Sequence, residues 1–413
     1  MTNEVKNVPE LRFPNFSEEW KKFVFKDQII SIEKGTDLLG SEDNMGIPLI
    51  KMGNIKRGYF SFNKLEKLRE SETIQEKYYI KKGDFLFNTR NTMELVGKSA
   101  TWTNKSDKFA FNSNIARIVL KDIDTYFFNY LYNTSKMINK VKSLAVGTTS
   151  VAAIYPRDLN HLNYFLPLIA EQEKIGEFFS KLDRQIELEE QKLAKLEEQK
   201  KGYMQQIFSQ ELRFKDEDGN DYTEWKTKKL DELGEFNSGV GFPEKYQGGN
   251  TGVPFFKVSD MNLLGNEKFM NTANNYVSIE QIKQKKWKVI QSVPAIIFAK
   301  VGAAIMLNRK RMILNPFLID NNTMSYSFSN HWDTNFGYVV FQMLNLPKYA
   351  QVGALPSYNS KDIGIIQIRL PIKEEQEKIG DFFSKLDEHI NKQNQKIAGL
   401  KLRKQGFLQK MFV

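Results

Sequence analysis

Two stretches of the chain carry apolar residues at alternating steps of four and three, from Ile175 to Ile207 and from Ile379 to Met411. A period of 3.5 residues is typical of a coiled-coil seam, whereas an ordinary surface helix shows a broader apolar stripe. We therefore predict two long helices that pack on each other. The alternative is two separate amphipathic helices, each packed on its own domain. The apolar seam positions are Ile175, Phe179, Leu182, Ile186, Leu193, Leu196, Ile379, Phe383, Leu386, Ile390, Ile397 and Leu400.

The two seams belong to a sequence repeat. EQEKIGEFFSKLD at 171–183 returns as EQEKIGDFFSKLD at 375–387, an offset of 204 residues. Both seams are polar at the same two steps, and polar seam residues can fix the register of a coiled coil at some cost in stability. Weaker matches reach into the segments before the helices: LRF at 11–13 and 212–214, GIPLIKMGNI at 46–55 and GVPFFKVSDM at 252–261. One unit has therefore been duplicated and has diverged outside its helix.

The segments before the helices are predicted to mix strands and helices. Short runs rich in β-branched and aromatic residues indicate strands, at 77–87, 113–120, 287–298 and 322–329. Helical spacing covers 125–144 and 335–350. Polar, glycine-containing loops follow at 146–153 and 352–360, before strand-like segments that close on Pro167 and Pro371. The expected fold class is α+β. The expected boundaries are a first domain at 1–166, a helix at 167–210, a second domain at 211–370 and a helix at 371–413.

The two long helices each contain one glycine near the end of the seam, Gly202 and Gly406. Glycine inside a helix costs about 1 kcal/mol relative to alanine. Its presence in both copies predicts either close backbone packing or a helix end.

The charge of the chain is unevenly placed. The net charge is +10, but 171–210 and 374–413 together carry 15 acidic and 15 basic side chains, so the excess lies elsewhere. Basic domains beside neutral helices favour a polyanionic partner, nucleic acid first. The alternative is that +10 over 413 residues serves only solubility.

Composition narrows the chemistry. The chain has no cysteine and three scattered histidines, which argues against disulfides and against zinc or histidine metal sites. The N-terminal residues lack the apolar core of a signal peptide, and no apolar run approaches a membrane span. We expect a cytoplasmic protein with no membrane partner.

Known catalytic motifs are largely missing from the sequence. VGKS at 96–99 resembles the end of a phosphate-binding loop, but Thr92 stands where the required glycine should be. SGVG at 238–241 lacks the third glycine of a dinucleotide site. A nuclease-type carboxylate cluster stays open, because acidic residues are common.

Polar and basic residues recur at equivalent predicted loops in both halves. Arginine and lysine can bind guanine edges, asparagine can bind adenine, and all can contact phosphates. The alternative for each residue is a solvated loop side chain. The candidates for DNA binding are Lys51, Asn54, Arg57, Asn88, Thr89, Arg90, Asn112, Asn114, Thr148, Thr149, Ser150, Lys257, Ser259, Asp260, Lys300, Asn308, Arg309, Lys310, Arg311, Ser357, Tyr358 and Asn359.

This pattern resembles the specificity subunits of type I restriction–modification systems. The resemblance covers essentially the whole chain and rests on the tandem arrangement, on the two helix entries EQEKIG(E/D)FFSKLD, and on the opening VPELRFPNF at 8–16. It implies that each domain is a target-recognition domain reading one half of a split DNA site. It also implies that the helices form an antiparallel coiled coil that separates the domains and helps dock two methyltransferase subunits.

The resemblance further implies two restriction subunits, which are ATP-driven translocases. S-adenosylmethionine, ATP and Mg²⁺ would then bind the partners, with no cofactor held by this chain. A helix of 38 residues spans roughly 57 Å, about 17 base pairs, as an upper limit for the distance between half-sites. Because GDFLF at 83–87 is replaced by PAIIF at 294–298, the two half-sites should differ. Two alternatives remain open: a coiled-coil scaffold with basic protein-binding domains, and a stand-alone nuclease or methyltransferase.

Overall fold

The computed structural model describes residues 7–103, 108–351 and 355–413. The start of the predicted loop at 352–360 lies outside these residues. The chain forms two compact units, Met1–Lys192 with Gln393–Val413, and Leu193–Lys392. Each unit therefore holds one globular domain, the beginning of the long helix that follows it, and the end of the other long helix.

The first domain alternates short strands with short helices before the first long helix. In chain order its elements are β1 (Lys21–Val24), α1 (Phe25–Gln28), β2 (Ile29–Lys34), β3 (Pro48–Ile50), β4 (Glu66–Lys67), a 3₁₀ turn (Glu76–Tyr78), β5 (Phe85–Asn88), β6 (Arg90–Asn91), β7 (Ser99–Thr101), β8 (Ala110–Phe111), β9 (Ile115–Leu120), α2 (Thr125–Tyr132), α3 (Ser135–Lys142), β10 (Val146–Gly147), β11 (Ala152–Ala153), a 3₁₀ turn (Pro156–His161), β12 (Asn163–Leu166) and the long helix α4 (Ile169–Ser209).

The second domain repeats this plan. Its elements are β13 (Lys226–Lys229), α5 (Leu230–Leu233), β14 (Gly234–Ser238), 3₁₀ turns (Glu244–Tyr246 and Val258–Asn262) flanking β15 (Val253–Phe256), β16 (Tyr276–Val277), α6 (Ile279–Lys285), β17 (Ala295–Ala299), a 3₁₀ turn (Ala303–Leu307), β18 (Lys310–Ile313), β19 (Leu318–Ile319), β20 (Thr323–Phe328), α7 (Thr334–Met343), a 3₁₀ turn (Leu346–Tyr349), α8 (Ser360–Gly364), β21 (Gln367–Leu370) and the long helix α9 (Lys373–Lys410).

The sheets of the two domains have the same topology. A four-stranded antiparallel sheet has the order β2-β9-β5-β7 in the first domain and β14-β20-β17-β18 in the second. A three-stranded sheet has the order β4-β3-β8 or β16-β15-β19, and a ribbon joins β1 to β12 or β13 to β21. These sheets confirm the α+β class and the tandem duplication, while the first domain has a further three-stranded sheet, β10-β11-β6.

The central strands are buried on both faces. Phe85, Leu86 and Phe87 of β5 are fully buried, and so are Ile296 and Ile297 of β17. One face of each sheet packs against α2 or α7 and the start of a long helix, and the other face covers a smaller apolar cluster. Continuous apolar runs such as FLF and AIIF therefore reflect burial on both sides.

The repeated glutamate at each helix entry forms a buried ion pair. Arg12 donates to both carboxylate oxygens of Glu171 at 2.7 and 2.6 Å, and Arg213 donates to Glu375 at 3.1 and 2.8 Å. Both glutamates are 0% exposed. Trp225 adds an indole hydrogen bond to Glu375 at 3.0 Å. The LRF and EQ repeats are thus two halves of one contact that ties the start of each domain to its long helix.

The glutamine and glycine of the same motif hold the helix of the domain. Gln172 accepts a hydrogen bond from the backbone of Asp124 at 3.1 Å, and Gln376 accepts one from Asp333 at 2.9 Å. These aspartates cap α2 and α7. A Cβ placed on Gly176 would lie 2.7 Å from Asp124 Oδ1 and 2.9 Å from the backbone nitrogen of Phe127. Glycine is required at this helix crossing because the capped end of α2 lies against the backbone of α4.

Within each unit the two long helices run antiparallel. In the first unit Lys404 pairs with Asp183, and Lys396 with Glu189. In the second unit Lys200 pairs with Asp387 at 2.5 Å, the equivalent residues of the repeat. The polar seam positions therefore meet charged partners. The apolar seam positions are buried or half-buried, with Ile175, Phe179, Ile379 and Phe383 the most enclosed.

Several local expectations need correction. The segment 125–144 forms two helices, because Thr134 caps a new helix after Tyr132. Residues 77–84 contain a 3₁₀ turn, and the strand begins only at Phe85. Gly202 and Gly406 show neither close packing nor an immediate helix end, since a Cβ on either would enter open space and the helices continue to Ser209 and Lys410.

Candidate nucleic-acid interface

The first domain presents an exposed three-stranded ribbon. Strand β6 pairs with β11, which pairs with β10, so Arg90 lies opposite Ala153 and Val146 also lies opposite Ala153. The tip between β10 and β11 is the exposed run Thr148, Thr149 and Ser150. The backbone carbonyl of Thr149 accepts a hydrogen bond from Met93 at 3.1 Å, which holds the tip against the loop after β6. Arg90 is exposed on the same ribbon.

An open cleft of about 570 Å³ lies at the base of this ribbon. The backbone nitrogen of Thr89 donates to the carbonyl of Asn114 at 3.0 Å, and that of Ile154 donates to Thr89 at 3.0 Å. The structure thus brings Thr89, Arg90 and Asn114 together at one edge of the central sheet. The cleft is lined by Glu33, Lys34, Gly35, Asp37, Lys77, Tyr78, Thr89, Arg90, Ser113, Asn114, Ala153, Ile154 and Tyr155.

The second domain has the equivalent edge with different side chains. Lys300 donates its backbone N–H to Asn322 at 2.9 Å, and Tyr358 donates to Lys300 at 3.2 Å. Isolated bridges join Val301 and Gln351 to Ser357. Lys300 thus occupies the place of Thr89, and Val301 that of Arg90. The backbone is conserved between the repeats while the exposed chemistry differs.

Five candidates are turned into the domains. Asn54, Asn88, Asp260, Lys310 and Tyr358 are at most 5% exposed. Asn54 bridges its own loop by accepting from the Lys51 backbone and donating to Ser61, and Asp260 accepts from Lys257 and Asn274 in the same way. The expectation of free loop side chains does not hold for these residues, because their side chains are buried inside the domains.

Lys310 and Tyr358 show the same inward role with a titratable group. Lys310 donates to the carbonyl of Leu344 at 2.6 Å at the C-terminal end of α7, and burial lowers the pKa of its ammonium to about 8. Tyr358 donates its hydroxyl to the carbonyl of Ala299 at 2.5 Å. Both side chains therefore stabilise this edge of the sheet through buried hydrogen bonds to backbone carbonyls.

The remaining candidates are half-buried or exposed and lie on several loops. Lys51 pairs with Glu66 at 2.7 Å, Lys257 bonds to Gln247 at 2.6 Å, and Arg57 donates to the carbonyl of Glu94 at 3.3 Å. Arg309 contacts Asn262, and Asn308 donates to Leu344 at 3.0 Å. Asn359 caps α8. The others are Asn112, Ser259, Arg311 and Ser357, of which only Ser259 is exposed.

Two lysines of the cleft were not singled out from the sequence. Lys34 ends β2, and Lys77 lies in the 3₁₀ turn before β5. Neither lies in a recognisable motif. The fold brings both to the cleft, since Lys34 lies opposite Ala116 of β9 and the carbonyl of Lys77 accepts a hydrogen bond from Arg117 of the same strand.

Membrane and metal sites were sought in the part of the chain that the structure describes. There, none of the helices has the length and apolar character needed to cross a membrane. Within the same residues, histidine and acidic side chains form no group of three that could hold a metal ion.

The fold is a tandem repeat of one α+β domain followed by a long helix, with an equivalent polar sheet edge in each copy. Comparison with known proteins identifies the family to which this chain belongs. The family model described as type I restriction modification DNA specificity domain matches residues 17–198 and again 222–402. The chain therefore belongs to this family, whose specificity subunits recognise DNA, assemble with the other subunits of the restriction–modification complex and are themselves non-catalytic.

Individual relatives agree with this assignment. A provisionally named type I restriction enzyme MjaX specificity subunit of Methanocaldococcus jannaschii is 24% identical over 402 residues, covering 93% of this chain and 90% of the relative. The crystal structure of the type I restriction–modification S subunit from M. genitalium aligns with a TM-score of 0.61 at 16% identity, over 98% of this chain and 99% of that one. A chain from a structural study of type I complex assembly and conformational transition aligns with a TM-score of 0.55 at 16% identity, over 95% and 97%.

Proposed function

We propose that this specificity subunit reads a bipartite, asymmetric DNA site, with one half-site for each domain. The observation that carries the proposal is the pair of equivalent sheet edges with unlike side chains. Thr89 and Arg90 stand at the first edge where Lys300 and Val301 stand at the second. Two domains with the same backbone at this edge but different side chains would recognise two different DNA sequences.

In the first domain the exposed ribbon would enter a groove of the DNA. The β10–β11 hairpin of this ribbon is two-stranded and would fit the major groove, where arginine is the commonest side chain to bind guanine. Arg90 and the hydroxyls of Thr148, Thr149 and Ser150 are exposed together on that ribbon. The lysines of the adjoining cleft, Lys34 and Lys77, would contact phosphates and hold the domain in register.

The long helices would set the spacing between the half-sites and help dock two methyltransferase subunits. Helix α4 is 41 residues long and α9 is 38, so each spans roughly 60 Å at about 1.5 Å per residue. S-adenosylmethionine would bind the methyltransferase subunits, and ATP and Mg²⁺ two restriction subunits, with adenine N6 methylated or the DNA cut.

Methylome sequencing tests the reading function. The chain is expressed with its candidate modification subunit, and N6-methyladenine is expected at one split motif that disappears when this chain is omitted. Arg90→Ala should relax the bases of one half-site, and Lys300→Ala those of the other, so each variant is the control for the other. If both proteins associate but the methylation pattern is the same with and without this chain, the result would instead favour a coiled-coil scaffold whose basic domains bind another protein.

A matched pair of insertions tests the spacing. Seven residues placed between Lys192 and Leu193, and seven between Lys392 and Gln393, keep the heptad seam and lengthen both helices by roughly 10 Å. The spacer should then grow by about three base pairs while both half-sites stay the same. An unchanged spacer in an assembled complex would refute the role of the helices as a ruler.

A further inference from the structure

A cluster of three cations lies in the first domain beside the ribbon. Lys56 and Arg57 are on the loop after β3, and Lys98 directly precedes the edge strand β7. The backbone nitrogen of Gly58 donates to the carbonyl of Ser99 at 2.8 Å and clamps the two segments together. Gly58 has a φ of 85°, which allows this turn. The three cations are therefore held together by backbone geometry.

Two of these cations are bound by neutral backbone carbonyls and not by carboxylates. Arg57 donates to the backbone carbonyl of Glu94, and Lys56 donates to that of Gly53 at 2.7 Å. Among the ion pairs of the described residues, none includes Lys56, Arg57 or Lys98. Burial, and then the charges of Lys56 and Arg57, lower the pKa of Lys98, and the opposing effect of Glu94 is smaller. Neighbouring like charges repel each other, and a bound anion would relieve that repulsion.

The same segment connects the cluster to the ribbon. Lys98 belongs to the VGKS run, whose Gly97 has a φ of 75° and would place a Cβ 2.8 Å from Val141 and 3.1 Å from Ile154. Ile154 follows β11 of the ribbon, and Arg90 begins β6 at the other end of this loop. Gly97 thus allows close packing against Val141 and Ile154, and it places Lys98 at the end of the loop that begins after Arg90 and Asn91.

The second domain has a cation in the equivalent place. Arg309 directly precedes β18, as Lys98 precedes β7, and it contacts Asn262 on the loop after β15. Asn262 corresponds to Lys56 in the aligned repeats. Residues that read bases are expected to differ between the domains. A cation present at the same backbone position in both domains is instead expected to contact phosphates, which are the same in every DNA sequence.

We propose that Lys56, Arg57 and Lys98 form a phosphate-binding site that grips the DNA backbone next to the bases read by the ribbon, with Arg309 in the corresponding role in the second domain. This inference rests on the proposed function. Phosphate contacts position a protein on the duplex without reading its sequence.

Salt-dependent binding separates this role from base reading. The assembled complex with its modification subunits is titrated by fluorescence anisotropy against DNA carrying the methylated motif and against scrambled DNA, from low to high salt. Lys98→Gln should weaken both equally, by about eightfold at 0.1 M salt, and make the slope of log affinity against log salt shallower by about 0.9. Arg309→Gln should behave alike. The motif in the methylome should stay unchanged.

Lys121→Gln is the matched control, because Lys121 is exposed at the far end of β9, away from the ribbon. A Lys98→Gln variant with the affinity and slope of this control would overturn the inference, and so would an altered motif. Binding of inorganic phosphate at Lys98, seen by NMR, with an unchanged DNA slope would make it a free-anion site and also overturn it. Failure of the proposed function is a different result, namely no preference of the wild-type complex for the motif.

Discussion

A glycine-to-alanine substitution tests the packing of the helix entries. We expect it to change the free energy of unfolding in opposite directions at two positions. Gly176→Ala adds a methyl group where Asp124 Oδ1 and the Phe127 nitrogen lie 2.7 and 2.9 Å from the new carbon. Gly406→Ala, in the same unit, adds it in open space. The chemistry is identical and both sites are helical, so any difference in the free energy of unfolding reports the tertiary contact.

The magnitude follows from two opposing terms. Alanine in place of a helical glycine stabilises by about 0.5–1 kcal/mol. Overpacking at a site with no room costs about 1–3 kcal/mol, and loss of the Asp124 cap costs about 1 kcal/mol more. We expect Gly176→Ala to lower the free energy of unfolding by roughly 1–3 kcal/mol, and Gly406→Ala to raise it by up to about 1 kcal/mol.

Thermal unfolding followed by tryptophan fluorescence and circular dichroism measures the difference, because 1 kcal/mol shifts the Tm of a domain of this size by roughly 2–4 °C. The second unit supplies an independent replicate. Gly380→Ala would meet Asp333 and Phe336 at 2.5 and 2.7 Å, and Gly202→Ala would meet nothing. Equal Tm values for Gly176→Ala and Gly406→Ala would refute the crossing as described.

Three further outcomes are expected. Glu375→Gln should cost on the order of 3–5 kcal/mol in urea unfolding, since it leaves the part-buried Arg213 without its carboxylate, whereas exposed Glu377→Gln should cost little. Hydrogen bonds from Gln393 and then Lys396 lower the pKa of Glu189 to about 2, so its contribution to stability is present above about pH 4.3, the ordinary value, and is lost as the pH falls towards 2. A Tm profile from pH 6 to 2 that is as steep for Glu189→Gln as for the wild type would contradict this. Leu196→Asp or Leu400→Asp should weaken helix pairing and assembly, and an unchanged complex mass in light scattering would count against it.

The long helices and the duplication follow from the sequence alone because their signals are local. A 3.5-residue period needs only neighbouring turns of one helix, and the repeat of EQEKIG is visible by direct comparison. The family resemblance follows from the same residues. The apolar run likewise predicts the strand at Phe85–Asn88, but the aromatic residues of the preceding turn extend that prediction eight residues too far towards the N-terminus.

The reasons for the repeated residues required the tertiary structure. Arg12 and Glu171 lie 159 residues apart, and the sequence shows both without showing that they touch. The same holds for Lys98, which lies in an incomplete phosphate-loop motif and whose neighbours Lys56 and Arg57 come from the loop after β3. From the sequence, Asn88, Tyr358, Thr148 and Arg90 are equally good candidates for DNA binding. The structure shows that Asn88 and Tyr358 are buried, whereas Thr148 and Arg90 are exposed.

The sequence by itself determined the two long helices, the duplication, the α+β class and the family, because each depends on order and spacing along the chain. Only the tertiary structure decided which polar residues face outward, which charges are paired, and which glycines must remain glycine. Those properties depend on contacts between segments that are distant in the sequence, and one sequence does not state which segments meet.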